Sequence, residues 1–413
     1  MKFNSRHTVL AGYIGYMTQA ITINFAPLLF ITFEKTYNIS IGRIGLLIAI
    51  SFLTQLSVDA LAAKFSSKLD TRRTVIFGHV CAAVGMISFG ILPDLLPDAY
   101  VGLVIATMLA AIGGGIIEVM ISPIVEACPT KEKSASMSLL HSFYSWGSFG
   151  LILLSTLFFS TVGIENWRIL ACLWSIVPII GALLFFFVPI YRLDADTEEG
   201  KAKAQGRSLF RSGIFWILFV VMFCSGAAEM AMSQWASSFA ETALGVDKTM
   251  GDLLGPCAFA VFMGSARVLY AFNGKKIKLS LFFSFSAALC TVSYLITALS
   301  PSPLISLAGC ALCGLSVGIM WPGTLSLATE SISFGGMRIF ALLALAGDMG
   351  CIVGPSLAGT VAEVFGDNLQ ISFIVSAIFP FLILALIPFI IFLTDKGKKS
   401  KATQKGNQND GTQ

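Results

Sequence analysis

The sequence predicts an all-α integral membrane protein, with twelve transmembrane helices in two six-helix pseudo-repeats. Four observations carry this expectation. Of the 413 residues, 56% are hydrophobic and only 12% are charged, about half the ~25% charged residues of a soluble domain. Twelve apolar segments each approach or exceed the ~20 residues that cross ~30 Å of hydrocarbon. Alternating ten-residue strands, the mark of a membrane barrel, are missing. Finally, a shift of 203 residues lays the second half of the chain over the first at several points.

The elements follow in order. Segment 8–32 comes after the basic start Met1-Lys2-Phe3-Asn4-Ser5-Arg6. It is long and lacks a clear small-residue cleavage site, so it reads as the first membrane helix and not as a removed signal peptide. Segments 41–63 and 74–92 flank a basic stretch holding Lys64, Lys68, Arg72 and Arg73. Segment 100–127 contains Gly113-Gly114-Gly115 and Glu118, segment 135–162 a run of polar residues, and segment 167–189 closes the first unit, 1–190. The mixed-charge stretch 191–211 reads as a cytoplasmic linker. Segments 212–240, 250–272, 277–299, 303–329, 339–364 and 369–393 form the second unit, 212–394. The Lys-, Gln- and Gly-rich tail 395–413 is expected to be disordered. Nine cysteines fall almost entirely inside the helices, and the Cys310–Cys313 pair lacks the further ligands of a metal site.

Charge sets the orientation. With the N-terminus in the cytoplasm, 23 of the 27 Lys and Arg residues fall on cytoplasmic segments, leaving only Lys35, Arg43, Arg168 and Lys248 outside. This bias predicts a multi-pass protein of the cell membrane with both termini in the cytoplasm.

Acids within the spans carry the functional expectation. A carboxylate at bilayer depth costs about 2.5–3.5 kcal/mol on insertion scales, so it needs a partner or a wet cavity. Glu118, Glu229 and Asp348 each sit in a different apolar segment. At 1.5 Å per residue, Glu118 and Asp348 lie roughly 14 Å from the cytoplasmic ends of their helices, near the midplane and in opposite halves. Glu229 lies roughly 25 Å in, nearer the outside. Gly114, Glu118 and Ser122 share one helical face. Ser138, His141, Ser145 and Ser148 form a polar stripe in the fifth helix, with Tyr144 beside His141. His141 has a side chain that can relay protons near neutral pH. The first helix offers Gln19, Thr22 and Asn24, and Trp146, Trp235 and Trp321 could stack on a sugar ring. Packing of small hydroxyl residues between helices would account for the same stripe without a substrate. No nucleotide loop, metal cluster or nucleophile–base arrangement appears, which disfavours ATP-driven pumping and catalysis.

These features resemble the major facilitator superfamily over essentially all twelve helices. The stretch from Asp59 through Lys64, Lys68, Asp70, Arg72 and Arg73 is similar to a degenerate form of its signature loop, with Asp59 at the usual first Gly and Ala63 at the usual acid. Glu118 five residues before Pro123, followed by His141-Ser-Phe-Tyr144-Ser-Trp146-Gly147, resembles the fucose-permease-like sugar:proton symporters. Ser122 replaces their usual asparagine, and the first helix carries no acid where those proteins use an aspartate. The resemblance implies a proton-coupling role for Glu118. It also implies a cytoplasmic gate of Asp59, Lys64, Arg72 and Arg73, with Arg267, which the repeat offset aligns with Lys64, and Arg338.

The expectation is therefore a secondary active transporter of a small polar solute, a sugar or related metabolite, working by alternating access. Glu118 would couple protons, with Asp348, Glu229 and His141 assisting. Gln19, Asn24, Ser122, Tyr144, Ser145, Trp146, Trp235 and Trp321 would bind the solute. An exporter of amphipathic compounds is the alternative. A non-transporting sensor would need an output domain, and no sizeable soluble stretch is present. The expected partners are the solute, protons and the bilayer. No cofactor, metal or nucleic acid is expected, and the chain reads as a monomer.

Overall fold

The computed structural model describes residues 3–65, 70–129, 133–191, 210, 212–273, 279–332 and 336–389. Among these, twelve helices are long and apolar enough to cross a membrane. They are α1 (Ser5–Tyr37), α2 (Ile41–Val58), α3 (Thr71–Leu95), α4 (Ala99–Glu126), α5 (Leu139–Val162) and α6 (Ile164–Phe187). The second half of the chain supplies α7 (Gly213–Thr242), α8 (Lys248–Tyr270), α9 (Leu281–Leu299), α10 (Pro303–Ala328), α11 (Leu342–Val364) and α12 (Leu369–Phe389). No strand occurs among the described residues. The helices alternate in direction, so the start of α1 and the end of α12 share one end of the molecule, here the near end. The opposite end is the distal end.

Short polar residues start the helices by accepting otherwise unpaired backbone N–H groups. Asp70 Oδ1 accepts from Arg73 N at 2.9 Å ahead of α3, and Asp98 Oδ1 from Tyr100 N at 2.9 Å ahead of α4. Asn368 Oδ1 takes Gln370 N at 3.0 Å and Ile371 N at 3.2 Å to open α12. Prolines interrupt the regular ladders, because a proline donates no hydrogen bond. A 3-10 turn over Ala26–Leu29 contains Pro27 in α1, and a π turn over Leu253–Cys257 contains Pro256 in α8.

Water does not drive these helices together within lipid, so close packing does. Two helix pairs are joined through glycines that leave no room for a β-carbon. Gly85 and Gly113 set α3 against α4, at Ala110 and Ala82. Gly350 and Gly354 set α11 against α7, at Phe223 and Ala227.

The two halves of the chain meet in a seam at the distal end. There α2 crosses α11 backbone to backbone, and a β-carbon on Gly45 would lie 3.5 Å from Gly359 Cα. Beside this contact, Lys248 of α8 donates to the Leu28 carbonyl of α1 at 2.6 Å. Lys248 also pairs with Asp252 at 3.1 Å. Asp252 is only 1% exposed. It accepts from Thr156 of α5 at 3.4 Å and from Ser237 of α7. A weaker pair, Lys35–Glu241 at 3.7 Å, spans the same end.

Candidate substrate cavity

A cavity of about 490 Å³ lies between the two halves, within the size range of small-molecule sites. From the first half, α1 contributes Tyr16 and Gln19, α2 Phe52 and Gln55, α4 Glu118, and α5 His141 and Tyr144. From the second, α7 contributes Glu229 and Met230, α8 Arg267 and Tyr270, α10 Trp321 and Ser326, and α11 Asp348. Tyr270 and Ser326 stand at or close to the near ends of their helices, so the cavity extends toward that end.

Glu118 is the best-defined group. The Nε2 groups of Gln19, at 2.6 Å, and of Gln55 both donate to its Oε2. Three helices thus converge on one carboxylate oxygen, and charge-assisted hydrogen bonds of this kind are about twice as strong as neutral ones. Tyr16, on the same wall, bonds Ser122 Oγ at 2.8 Å and meets the His141 ring edge-on at 5.1 Å. Ser122 therefore orients Tyr16 from behind and does not line the cavity.

Across the cavity, Arg267 pairs with Glu229 at 3.7 Å. It also donates to Ser145 Oγ of α5 at 3.2 Å and to the Gly318 carbonyl of α10 at 3.3 Å. A buried cation requires such partners. Arg267 was expected at the cytoplasmic gate, but it stands in the cavity wall and ties the two halves. Glu229, expected nearer the outside, shares the same cavity as Glu118. The reason is that α7 is one unbroken helix of 30 residues with Glu229 close to its middle, so residue counting from one end overstates its depth.

Asn24 lies one step toward the distal end, beside a small space of about 20 Å³ bounded also by Tyr144, Ser148 and Glu229. Its Nδ2 donates to Tyr144 Oη at 3.3 Å and to Ser148 Oγ at 3.1 Å, while Gln234 Nε2 reaches its Oδ1 at 3.4 Å.

Of the tryptophans, only Trp321 lines the cavity. Trp235 is 1% exposed in the distal seam. Its indole N–H donates to the Pro355 carbonyl at 2.9 Å, and its ring packs on Phe30 with centroids 5.4 Å apart. Trp146 is exposed and meets Phe149 edge-on at 6.2 Å. Arg72, expected to hold the gate, instead donates to the carbonyls of Phe185 and Phe186, both at 2.7 Å, and of Val188 at 2.9 Å. It therefore terminates α6 within its own half. Arg73 is exposed, and its backbone N–H is what Asp70 caps. The side chains of Asp59, Lys64 and Arg338 lie outside the described residues, as do the expected linker, apart from residues 191 and 210, and the expected tail.

Sequence reasoning passed over Gln55 and Asp252, and the lining residues Tyr16, Phe52, Met230, Tyr270 and Ser326 as well. An amide within an apolar span, the signal that marked Gln19, also marks Gln55. Asp252 stands at the start of its span and read as an ordinary boundary acid.

Twelve crossing helices around a polar, acid-bearing cavity between two halves make this a membrane transporter fold. The chain belongs to the Major Facilitator Superfamily, whose family model matches residues 9–337. This is a family of transporters and not of enzymes. Among solved structures, a bacterial homologue of the human lysosomal transporter Spinster, inward-facing and unoccupied, superposes with a TM-score of 0.76 at 13% identity, covering 95% of this chain and 98% of that one. The D-xylose–proton symporter gives 0.73 at 14% identity, with coverage of 94% and 96%. The E. coli fucose:proton symporter gives 0.63 at 16% identity, with coverage of 92% and 98%. No curated protein sequence gives a significant match.

Proposed function

We propose that this protein moves a small polar solute, a sugar or related metabolite, across the cell membrane by alternating access, driven by protons carried on Glu118. The observation that carries this reading is the Glu118 carboxylate itself. It faces a solute-sized cavity, and the side-chain amides of Gln19 and Gln55 both donate to one of its oxygens. A carboxylate within a membrane span that borders such a cavity is placed to take up and release a proton. The sealed distal seam and the cavity reaching toward the near end correspond to one of the two alternating states. The charge bias of the sequence makes the near end cytoplasmic, so this state faces inward. The proton-coupled sugar transport named for two of the structural neighbours supports the solute class.

The test is proton movement on solute addition. Proteoliposomes loaded with a pH dye are exposed to a panel of sugars at zero potential. At least one sugar should carry protons inward, and Glu118→Gln should abolish that signal while retaining exchange of labelled solute. Proton uptake that persists in Glu118→Gln removes the coupling role, and a panel without any response removes the sugar class. Orientation is tested separately by cysteine labelling. A cysteine at Lys201 should react only from the cytoplasmic side and one at Asp98 only from outside. Labelling of both from the outside would reverse the state assignment.

A further inference from the structure

Three carboxyl groups and one guanidinium line the cavity among the described residues. Arg267 accounts for Glu229, and the two glutamine amides account for Oε2 of Glu118. Asp348 differs from both. Among the described residues it makes no hydrogen bond and enters no ion pair, although it stands in the wall of the cavity. Its neighbour in the chain, Gly347, has the indole of Trp321 packed directly against it, so closely that a β-carbon there would collide with the ring. Trp321 also lines the cavity. An open carboxylate and an indole ring are thereby held at neighbouring points of the cavity wall.

This pairing has a definite chemical preference. The acid attracts a positive charge, and the indole face favours the same charge through its quadrupole. A hard metal ion would need about six oxygen ligands, but besides Asp348 and Trp321 the α10 and α11 residues lining the cavity are Pro322, Leu325, Ser326 and Cys351, with a single side-chain hydroxyl among them. An organic ammonium needs only the acid and a surface for its C–H groups. A wholly neutral solute would leave Asp348 either charged without a counter-ion or neutralised by a proton in a cavity that must close at both ends during transport, whereas a bound ammonium lets it stay charged there.

We propose that Asp348 and Trp321 form a subsite for a protonated amine on the transported solute, so that the substrate class is an amine-bearing polar molecule. The proposal rests on the reading of this cavity as the transport site. Glu118, on the opposite wall, keeps its separate task of carrying the proton, and Arg267 stays paired with Glu229 away from the amine.

The test uses probes matched in shape and different in charge. The purified full-length protein is heated with D-glucosamine or D-glucose, and with choline or its neutral analogue 3,3-dimethylbutan-1-ol, at equal concentration and ionic strength. A ligand that binds the folded form raises the unfolding temperature by mass action. At least one charged probe should raise it, and its neutral partner should not. Asp348→Asn should abolish the rise, Asp348→Glu should keep part of it, and Trp321→Leu should weaken apparent affinity about tenfold. Equal shifts within both pairs, or no shift from either charged probe, overturn the proposal in the unaltered protein, whatever the stability of the variants. A shift that survives Asp348→Asn but is lost in Tyr144→Phe keeps the cavity as the site and removes only the amine. A shift unaffected by either substitution removes the cavity reading as well.

Discussion

The distal seam and the central cavity are made of similar groups put to opposite uses. In the seam, one buried acid, Asp252, is surrounded: Lys248 at 3.1 Å, Thr156 at 3.4 Å and Ser237 all reach it. In the cavity, the one guanidinium among the described lining residues pairs with Glu229 at a longer 3.7 Å, and Asp348 has no polar partner among the described residues. Asp252 is saturated by groups from both halves, whereas Asp348 is left open to whatever enters the cavity. The number of donors around these two acids separates the seam from the cavity more clearly than depth in the membrane does.

The largest break of this contrast is expected at Lys248. Removing one partner of a buried pair typically costs about 3–5 kcal/mol, because the other charge stays buried. Opening the seam to water relieves that cost, so Lys248→Met should shift the protein toward the distal-open form instead of unfolding it. At about 1.4 kcal/mol per tenfold, the ratio of the two forms should change by about a hundredfold or more. A cysteine at Ser233 reports the change as faster labelling from the distal side, and an unaltered labelling rate would show that Lys248 does not hold the seam.

A smaller effect is expected at Gln55. A hydrogen bond to a charged group is worth about 1.5–3 kcal/mol, and Gln55→Leu removes one of the two glutamine amides that donate to Glu118. The altered carboxyl group should give up its proton less readily. Solute accumulation under a proton gradient should fall about tenfold while exchange continues. If accumulation and exchange fall together, Gln55 acts on solute binding and not on Glu118.

Arg72 serves as the control with the smallest effect, since it bonds only backbone oxygens in its own half. Lysine keeps the charge but not the fork that reaches three carbonyls. Arg72→Lys should lower stability by about 1 kcal/mol, in the range of a cation at a helix C-terminus, and leave labelling rates at both ends unchanged. Any shift in labelling would return Arg72 to the gate.

The helices were readable because apolar length and charge bias are summed over many residues, so single errors cancel. The cavity was readable where chemistry is costly, at Glu118, Glu229 and Asp348, since an acid in an apolar span announces itself. What stayed hidden was direction. Trp235 and Trp321 are the same residue type within apolar spans, yet one packs on Phe30 and Pro355 in the distal seam and the other faces the cavity nearer the opposite end. The position along each helix and the rotation of α7 and α10 about their axes both separate them, and packing sets that rotation. Arg267 was misplaced for a related reason. Its alignment with Lys64 across the repeat says nothing about α8 leaning Arg267 onto Glu229 and Ser145.

The seam also governs how freely its own residues can drift. Lys248 grips the main-chain oxygen of Leu28, and every amino acid offers that atom, so position 28 can exchange one apolar side chain for another with the grip intact. Gly359 has no such latitude. A methyl group on Gly359 would lie 3.2 Å from Gly45 Cα and 2.8 Å from the Trp235 ring, wedging the two halves apart. The same closure is therefore tolerant of mutation on one side and frozen on the other, and divergent descendants of this protein could rewrite the first contact many times before altering the second once.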